Sequence, residues 1–229
     1  MEEQLFDACR SGKIETLKSL LNNEAIDINK VNIFDRTPLY IASQEGHTEV
    51  VKLLLSDTRI NVNSANNYGW TPFFIACFKR QSEVVKVLLK DKRVDLNYTS
   101  LAGQTPFYLA CKYGSVEIVK ILLNDQRVDL NKANNSKEVP FYIACQYGCV
   151  ETLKYLLASG REINFYAQNE YGETGFDIAR KKGKRHLVEL LESFEDNPIE
   201  TRIKLRIQLG FAGKIFFFLI DSSFLQTFF

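Results

Sequence analysis

The sequence predicts an all-α solenoid built from six stacked helix-turn-helix units. One observation is a short phrase that returns at a fixed interval. It reads Thr37-Pro38-Leu39-Tyr40-Ile41-Ala42, Thr71-Pro72-Phe73-Phe74-Ile75-Ala76 and Thr105-Pro106-Phe107-Tyr108-Leu109-Ala110, then loosens to Val139-Pro140-Phe141-Tyr142-Ile143-Ala144 and Thr174-Gly175-Phe176-Asp177-Ile178-Ala179. The alanines are spaced by 34, 34, 34 and 35 residues, and Ala8, Gly12 and Glu15 each lie 34 before Ala42, Gly46 and Glu49, so a sixth copy opens the chain. The other observation is an apolar segment that follows each phrase in phase.

Each unit encodes two helices and a turn. Threonine before proline starts the first helix, because the hydroxyl accepts an orphan backbone N–H and proline at the first position lacks a donor that would be unused there. Gly46, Gly114, Gly148 and Gly183 follow about nine residues later and stop it by taking the left-handed conformation. The second helix reads Val50-Val51-Lys52-Leu53-Leu54-Leu55, Val84-Val85-Lys86-Val87-Leu88-Leu89, Ile118-Val119-Lys120-Ile121-Leu122-Leu123 and Leu187-Val188-Glu189-Leu190-Leu191. Its apolar residues recur at helical spacing and leave lysine or glutamate to water. Asn67-Tyr68-Gly69-Trp70 and Leu101-Ala102-Gly103-Gln104 are tight turns between units. Arg80 takes the place of a stop glycine, so either it goes left-handed or the helix ends differently.

Phrase, helix stop, second helix and turn together resemble the ankyrin repeat, whose signature runs Thr-Pro-Leu-His-x-Ala. The tetratricopeptide repeat shares the period but needs a Trp, Leu-Gly and Tyr pattern that no unit has. The resemblance covers residues 1–194 and departs from the family in two ways. The signature histidine is an aromatic, at Tyr40, Phe74, Tyr108 and Tyr142, where rings are expected to stack on neighbouring units. The loop Asp91-Lys92-Arg93-Val94-Asp95-Leu96-Asn97 is one residue longer than usual, which lengthens the period to 34.

A net charge of +1 with the charges well mixed gives no field for nucleic acid, and no nucleic-acid partner is expected. The start, Met1-Glu2-Glu3-Gln4, lacks the basic and apolar regions of a secretory signal, so a cytoplasmic location is expected, with the nucleus as an alternative. Cys9, Cys77, Cys111 and Cys145 all follow the repeat alanine and are read as small buried thiols; Cys149 stands apart. The two histidines, His47 and His186, fall just after helix-stopping glycines, and no phosphate loop, metal cluster or nucleophile elbow is present. The expectation is therefore no enzyme, no cofactor and no metal. Asn29, Asn63, Asn97, Asn131 and Asn164 recur before each turn and are expected to hydrogen-bond loop backbone, with hydroxylation as the functional alternative.

Function must then reside on a surface. In ankyrin proteins the turn tips and first helices line a concave groove that binds partner proteins, and the resemblance transfers that role to Phe34, Arg36, Tyr68, Trp70, Phe78, Lys79, Gln104, Lys112, Tyr113 and Tyr147. Aromatic and arginine side chains are the residue types most often found as binding hot spots. The competing reading is that some of these rings pack between neighbouring turns.

After Phe194, Asn197-Pro198-Ile199-Glu200 reads as a helix start, and residues 195–210 are expected to hold a C-terminal helix ending at Gly210. The alternation Ile203, Leu205, Ile207, Leu209 points instead to a strand. Residues 211–229 form an apolar tail, but Asp221 interrupts Ile215-Phe216-Phe217-Phe218-Leu219-Ile220 well short of the ~20 residues a spanning helix needs. The expectation is a monomeric adaptor or scaffold for a protein partner. The alternatives are a membrane-associated anchor using the tail, or the targeting fragment of a longer enzyme.

Overall fold

The computed structural model describes residues 2–211. Thirteen helices and no strand occur among them. Six pairs come first: α1 (Glu2–Ser11) with α2 (Ile14–Leu21), α3 (Pro38–Glu45) with α4 (Thr48–Ser56), α5 (Pro72–Phe78) with α6 (Ser82–Lys90), α7 (Pro106–Lys112) with α8 (Val116–Leu123), α9 (Pro140–Tyr147) with α10 (Val150–Ala158), and α11 (Gly175–Lys181) with α12 (Arg185–Asp196). A single helix, α13 (Pro198–Gln208), follows. The first helices pack in one row, α1 through α11, and the second helices from α2 to α10 pack in another behind it. One continuous apolar core runs between the rows. The tail is expected over residues 211–229, of which all but Phe211 lie outside the described residues.

The caps explain the helix starts. The Thr37, Thr71 and Thr105 hydroxyls accept the N–H groups of Tyr40, Phe74 and Tyr108 at 3.1, 3.2 and 3.0 Å. Thr174 forms a reciprocal capping box with Asp177, whereas Val139 offers no side-chain cap. Gly175 stands where the four preceding units have proline, and a Cβ there would lie 2.9 Å from the Phe141 ring. Arg80 does adopt the left-handed conformation, with φ 60°, at a cost of roughly 1–2 kcal/mol.

Three ladders tie neighbouring units among the first five, all written at the repeat period. Arg59, Arg93, Arg127 and Arg161 donate to carbonyls at the end of the preceding unit's second helix: Leu21, Leu55, Leu89 and Leu123. A cation at a helix C-terminus satisfies orphan carbonyls and meets the negative end of the dipole. Asp57, Asp91 and Asp125 aim the first three arginines through short ion pairs of 2.6 Å, and the arginine hydrogen bonds hold these carboxyls below their usual range. In the second ladder, Asn29, Asn63, Asn97 and Asn131 each donate to one carbonyl of the next loop and accept from an N–H two residues further on. The Asn63 pair is 2.8 Å to the Arg93 carbonyl and 2.9 Å from the Asp95 N–H. The third ladder explains His47 and Cys149. His47 and Gln81 bond the Arg10 and Gln44 carbonyls at 2.9 Å, and the Cys149 thiol, in the same repeat position, donates to the Lys112 carbonyl at 3.5 Å.

All five cysteines are free thiols, and only Cys149 is part-exposed. Burial pushes Cys9 up to about 12 and raises Cys77, Cys111, Cys145 and Cys149 as well. They therefore stay protonated and behave as small apolar groups. The segment whose alternation pointed to a strand is helical in α13, which packs on both α10 and α12. Thr201, Leu205 and Arg206 are its buried residues. Arg202 and Arg206 donate to the Leu157 and Ala158 carbonyls at 3.1 and 3.0 Å, so they cap α10 as the arginine ladder caps earlier helices. Among the described residues no helix is long and apolar enough to cross a membrane.

Candidate functional site

The turn tips and the ends of the first helices form one face. Adjacent tips are joined by single backbone bonds, Leu101 N–H to the Tyr68 carbonyl, Asn135 N–H to Ala102 and Glu170 N–H to Ser136, each 3.1 Å. Inside four of the five tips the Asn32, Asn66, Asn134 or Asn169 amide oxygen accepts the N–H groups two and four residues on. This is the asparagine turn chemistry that frees the intervening side chains for solvent.

Seven of the ten expected site residues are gathered in one strip. Tyr68 and Trp70 have ring centroids 6.1 Å apart, Trp70 and Phe78 are 5.0 Å apart, and Phe78 meets Tyr113 edge-on at 5.5 Å. The Lys79 ammonium lies 5.7 Å from the Phe78 centroid, and the Lys112 ammonium lies between Tyr113 and Tyr147 at 5.6 and 5.4 Å. Tyr68, Tyr113 and Tyr147 are exposed, at 59%, 46% and 52%. Trp70 is half-buried because its ring also stacks on the buried Phe74 at 5.2 Å. Trp70 thus packs inside its own unit and borders the strip at once.

The other three residues stand apart. Arg36 lies 5.1 Å over the exposed Phe34 ring and 5.6 Å over Tyr40, forming a separate pair in the second unit. Gln104 is half-buried at the end of its turn, its backbone N–H held by Ser100. Two exposed tip residues extend the face, Leu101 and Tyr171. A shallow depression near Tyr171 is lined by Glu173 and Lys181, which neutralise each other at 2.9 Å.

Tyr40, Tyr108 and Tyr142, at the signature position, are buried and do not join the strip. Their hydroxyls meet the turn amide of the next unit: Asn66 at 3.4 Å, Asn134 at 3.0 Å and Asn169 at 2.9 Å. Burial, then the carboxylates of Glu138 and Glu173, raises Tyr108 and Tyr142 above the ordinary phenol range. Among the described residues no group of histidine, cysteine or carboxylate side chains is arranged to hold a metal.

Stacked helix pairs of this kind define a helical repeat protein. The profile of the family described as "Ankyrin repeats (3 copies)" matches residues 5–100 and 92–169, and the chain belongs to the ankyrin repeat family. The fold is similar to the crystal structure of EF0377, an ankyrin repeat protein, with TM-score 0.76 and 23% identity over 84% of this chain and 98% of that one. It is also similar to a chain of the complex of the predatory endopeptidase Bd0816 from Bdellovibrio bacteriovorus with the immunity protein Bd3460, at TM-score 0.67 and 24% identity over 83% of this chain and 97% of that one. No curated protein matches the sequence.

Proposed function

We propose that the chain is a non-enzymatic adaptor or scaffold of the cytoplasm, monomeric, which binds a partner protein on the tip face that is concave in ankyrin repeats. The observation that carries this reading is the strip from Tyr68 to Tyr147. Exposed rings and cations run across three consecutive units, where a structural role needs none of them exposed. Ankyrin repeats serve as protein-interaction modules, and one structure sharing the fold was solved as a complex of an endopeptidase with an immunity protein. Unpaired thiols suit a reducing compartment.

The test is site-specific photo-crosslinking in the native cells, with the photoreactive residue placed at Tyr113 on the tip face or at Lys86 on the second-helix face. Discrete protein adducts from position 113 and none from position 86 are expected. Equal labelling from both positions, or adducts from position 86 alone, overturns the assignment.

A further inference from the structure

The lysines of the two faces are treated differently. On the second helices Lys18, Lys52, Lys86, Lys120 and Lys154 each pair with a glutamate three residues earlier, at 2.6 to 3.3 Å. On the tip face Lys79, Arg80 and Lys112 have no ion pair among the described residues. The lysines rest on rings, and the Arg80 guanidinium donates to the Tyr113 carbonyl at 2.9 Å. A cation over a ring keeps its charge available, since a quadrupole attracts it without neutralising it.

The third and fourth units carry no acid on this face. From Asn67 to Arg80 and from Leu101 to Gly114 there is no aspartate or glutamate. Acids return on either side, at Asp35 and Glu45 before, and at Glu138 and Glu170 after. The middle of the face is therefore a short cationic and aromatic stretch between carboxylates.

We propose that this stretch binds an acidic peptide segment of the partner, with carboxylates on Lys79 and Lys112 and an apolar side chain against Trp70, Phe78 and Tyr113. The assignment rests on the protein-interaction reading above and narrows it. Single-stranded nucleic acid is the rival occupant, because stacked rings and cations also suit bases and phosphates. A uniformly charged backbone would have to cross the acidic flanks, whereas a peptide can place its acids over the middle and change sign at each end. Charge complementarity of this kind sets specificity and association rate.

The experiment is selection from a random-peptide display library on the folded full chain, followed by binding measurements on the synthetic peptide. Enrichment of sequences rich in aspartate and glutamate beside an aromatic or aliphatic residue is expected. Reversing both charges in Lys79→Glu/Lys112→Glu should weaken the peptide by about tenfold or more, and added salt should weaken it as well. Lys79→Gln/Lys112→Gln, which removes charge without repulsion, should give a smaller loss, with the thermal midpoint of each variant showing that it is folded. Enrichment of neutral or basic peptides, or affinity unchanged by the reversal, overturns the proposal. So does a single-stranded oligonucleotide that binds through the same lysines more tightly than the peptide. An empty selection overturns it too, while adducts from position 113 would leave the wider interaction reading standing.

Discussion

Tyr108 and Asn134 are joined across a unit boundary: the phenolic oxygen accepts the Asn134 amide at 3.0 Å while donating to the Glu138 carboxylate at 2.9 Å. The neighbouring unit shows what the pairing requires. Where Phe74 lacks the hydroxyl, the next turn has Ser100 in place of asparagine and Gln104 in place of glutamate, so both the turn asparagine and the carboxylate are gone. Tyr142 repeats the tyrosine version with Asn169 and Glu173. Tyr108→Phe is expected to cost about 1 kcal/mol, since it leaves the part-buried Asn134 amide and Glu138 carboxylate with fewer partners. In Tyr108→Phe/Glu138→Gln the losses should be less than additive, by ~0.5 kcal/mol or more. Urea unfolding of the singles and the double measures the coupling, and strict additivity would show that the hydroxyl and the carboxylate act independently.

The fifth unit is expected to open first. It combines a left-handed Lys137, φ 60°, with Val139, which provides no side-chain cap. Removing a cap costs ~1 kcal/mol, the left-handed lysine costs roughly 1–2 kcal/mol, and repeat stability is close to a nearest-neighbour sum. Hydrogen exchange should show weaker protection around Lys137 than around Gly103. Lys137→Gly and Val139→Thr should each stabilise the chain by about 1 kcal/mol. Equal protection in the two turns, or no gain from either substitution, contradicts this account.

Alkaline pH should destabilise the fold. Burial raises Cys9 to about 12 and Tyr142 to about 12, and raises Cys77, Cys111, Cys145, Tyr40 and Tyr108 in the same direction. The folded state therefore keeps protons that the unfolded chain releases near the ordinary thiol and phenol values, so stability is intact below about pH 8 and falls as pH rises through those values. Each group adds a slope of up to ~1.4 kcal/mol per pH unit. Urea midpoints should drop steeply between about pH 8 and about pH 10, and Cys77→Ala should flatten the decline. A flat profile over that range would contradict the burial of these groups.

What the sequence makes legible is the chemistry that closes within one unit. Thr71 and Phe74 are three residues apart, and the cap between them needs nothing from outside. The ladders are different. Arg59, Arg93, Arg127 and Arg161 share the period, but their leucine carbonyl acceptors lie 38 residues earlier and become partners only once helix ends are stacked. Cys149 looked isolated because its equivalents are His47 and Gln81, alike in position and not in residue type. The helix read from Asn197-Pro198-Ile199-Glu200 is present as α13, and the competing alternation did not mark a strand, since Ile207 is exposed while Arg206 is buried against α10. Trp70 carried a readable signal: Phe74 and Phe78 are four residues apart on one face of α5, and Trp70 stands just ahead of the Thr71 cap, in reach of both.

That spacing shapes the last prediction. Trp70 stacks on Phe74 and Phe78, so Trp70→Ala should lower stability by about 2 kcal/mol as well as weaken the partner recovered by crosslinking. Tyr113 touches Phe78 by its edge and is 46% exposed, so Tyr113→Ala should cost less than about 1 kcal/mol of stability. Loss of a hot-spot ring costs ~2 kcal/mol or more of binding, which is roughly thirtyfold in affinity. Calorimetry at a temperature where every variant is fully folded separates the two effects. If Tyr113→Ala loses affinity with an unchanged thermal midpoint, the strip is a binding surface and Trp70 is both its support and its border. If Tyr113→Ala binds as tightly as the parent, and the Trp70→Ala deficit disappears once unfolding is accounted for, then the rings pack the solenoid and the partner docks elsewhere.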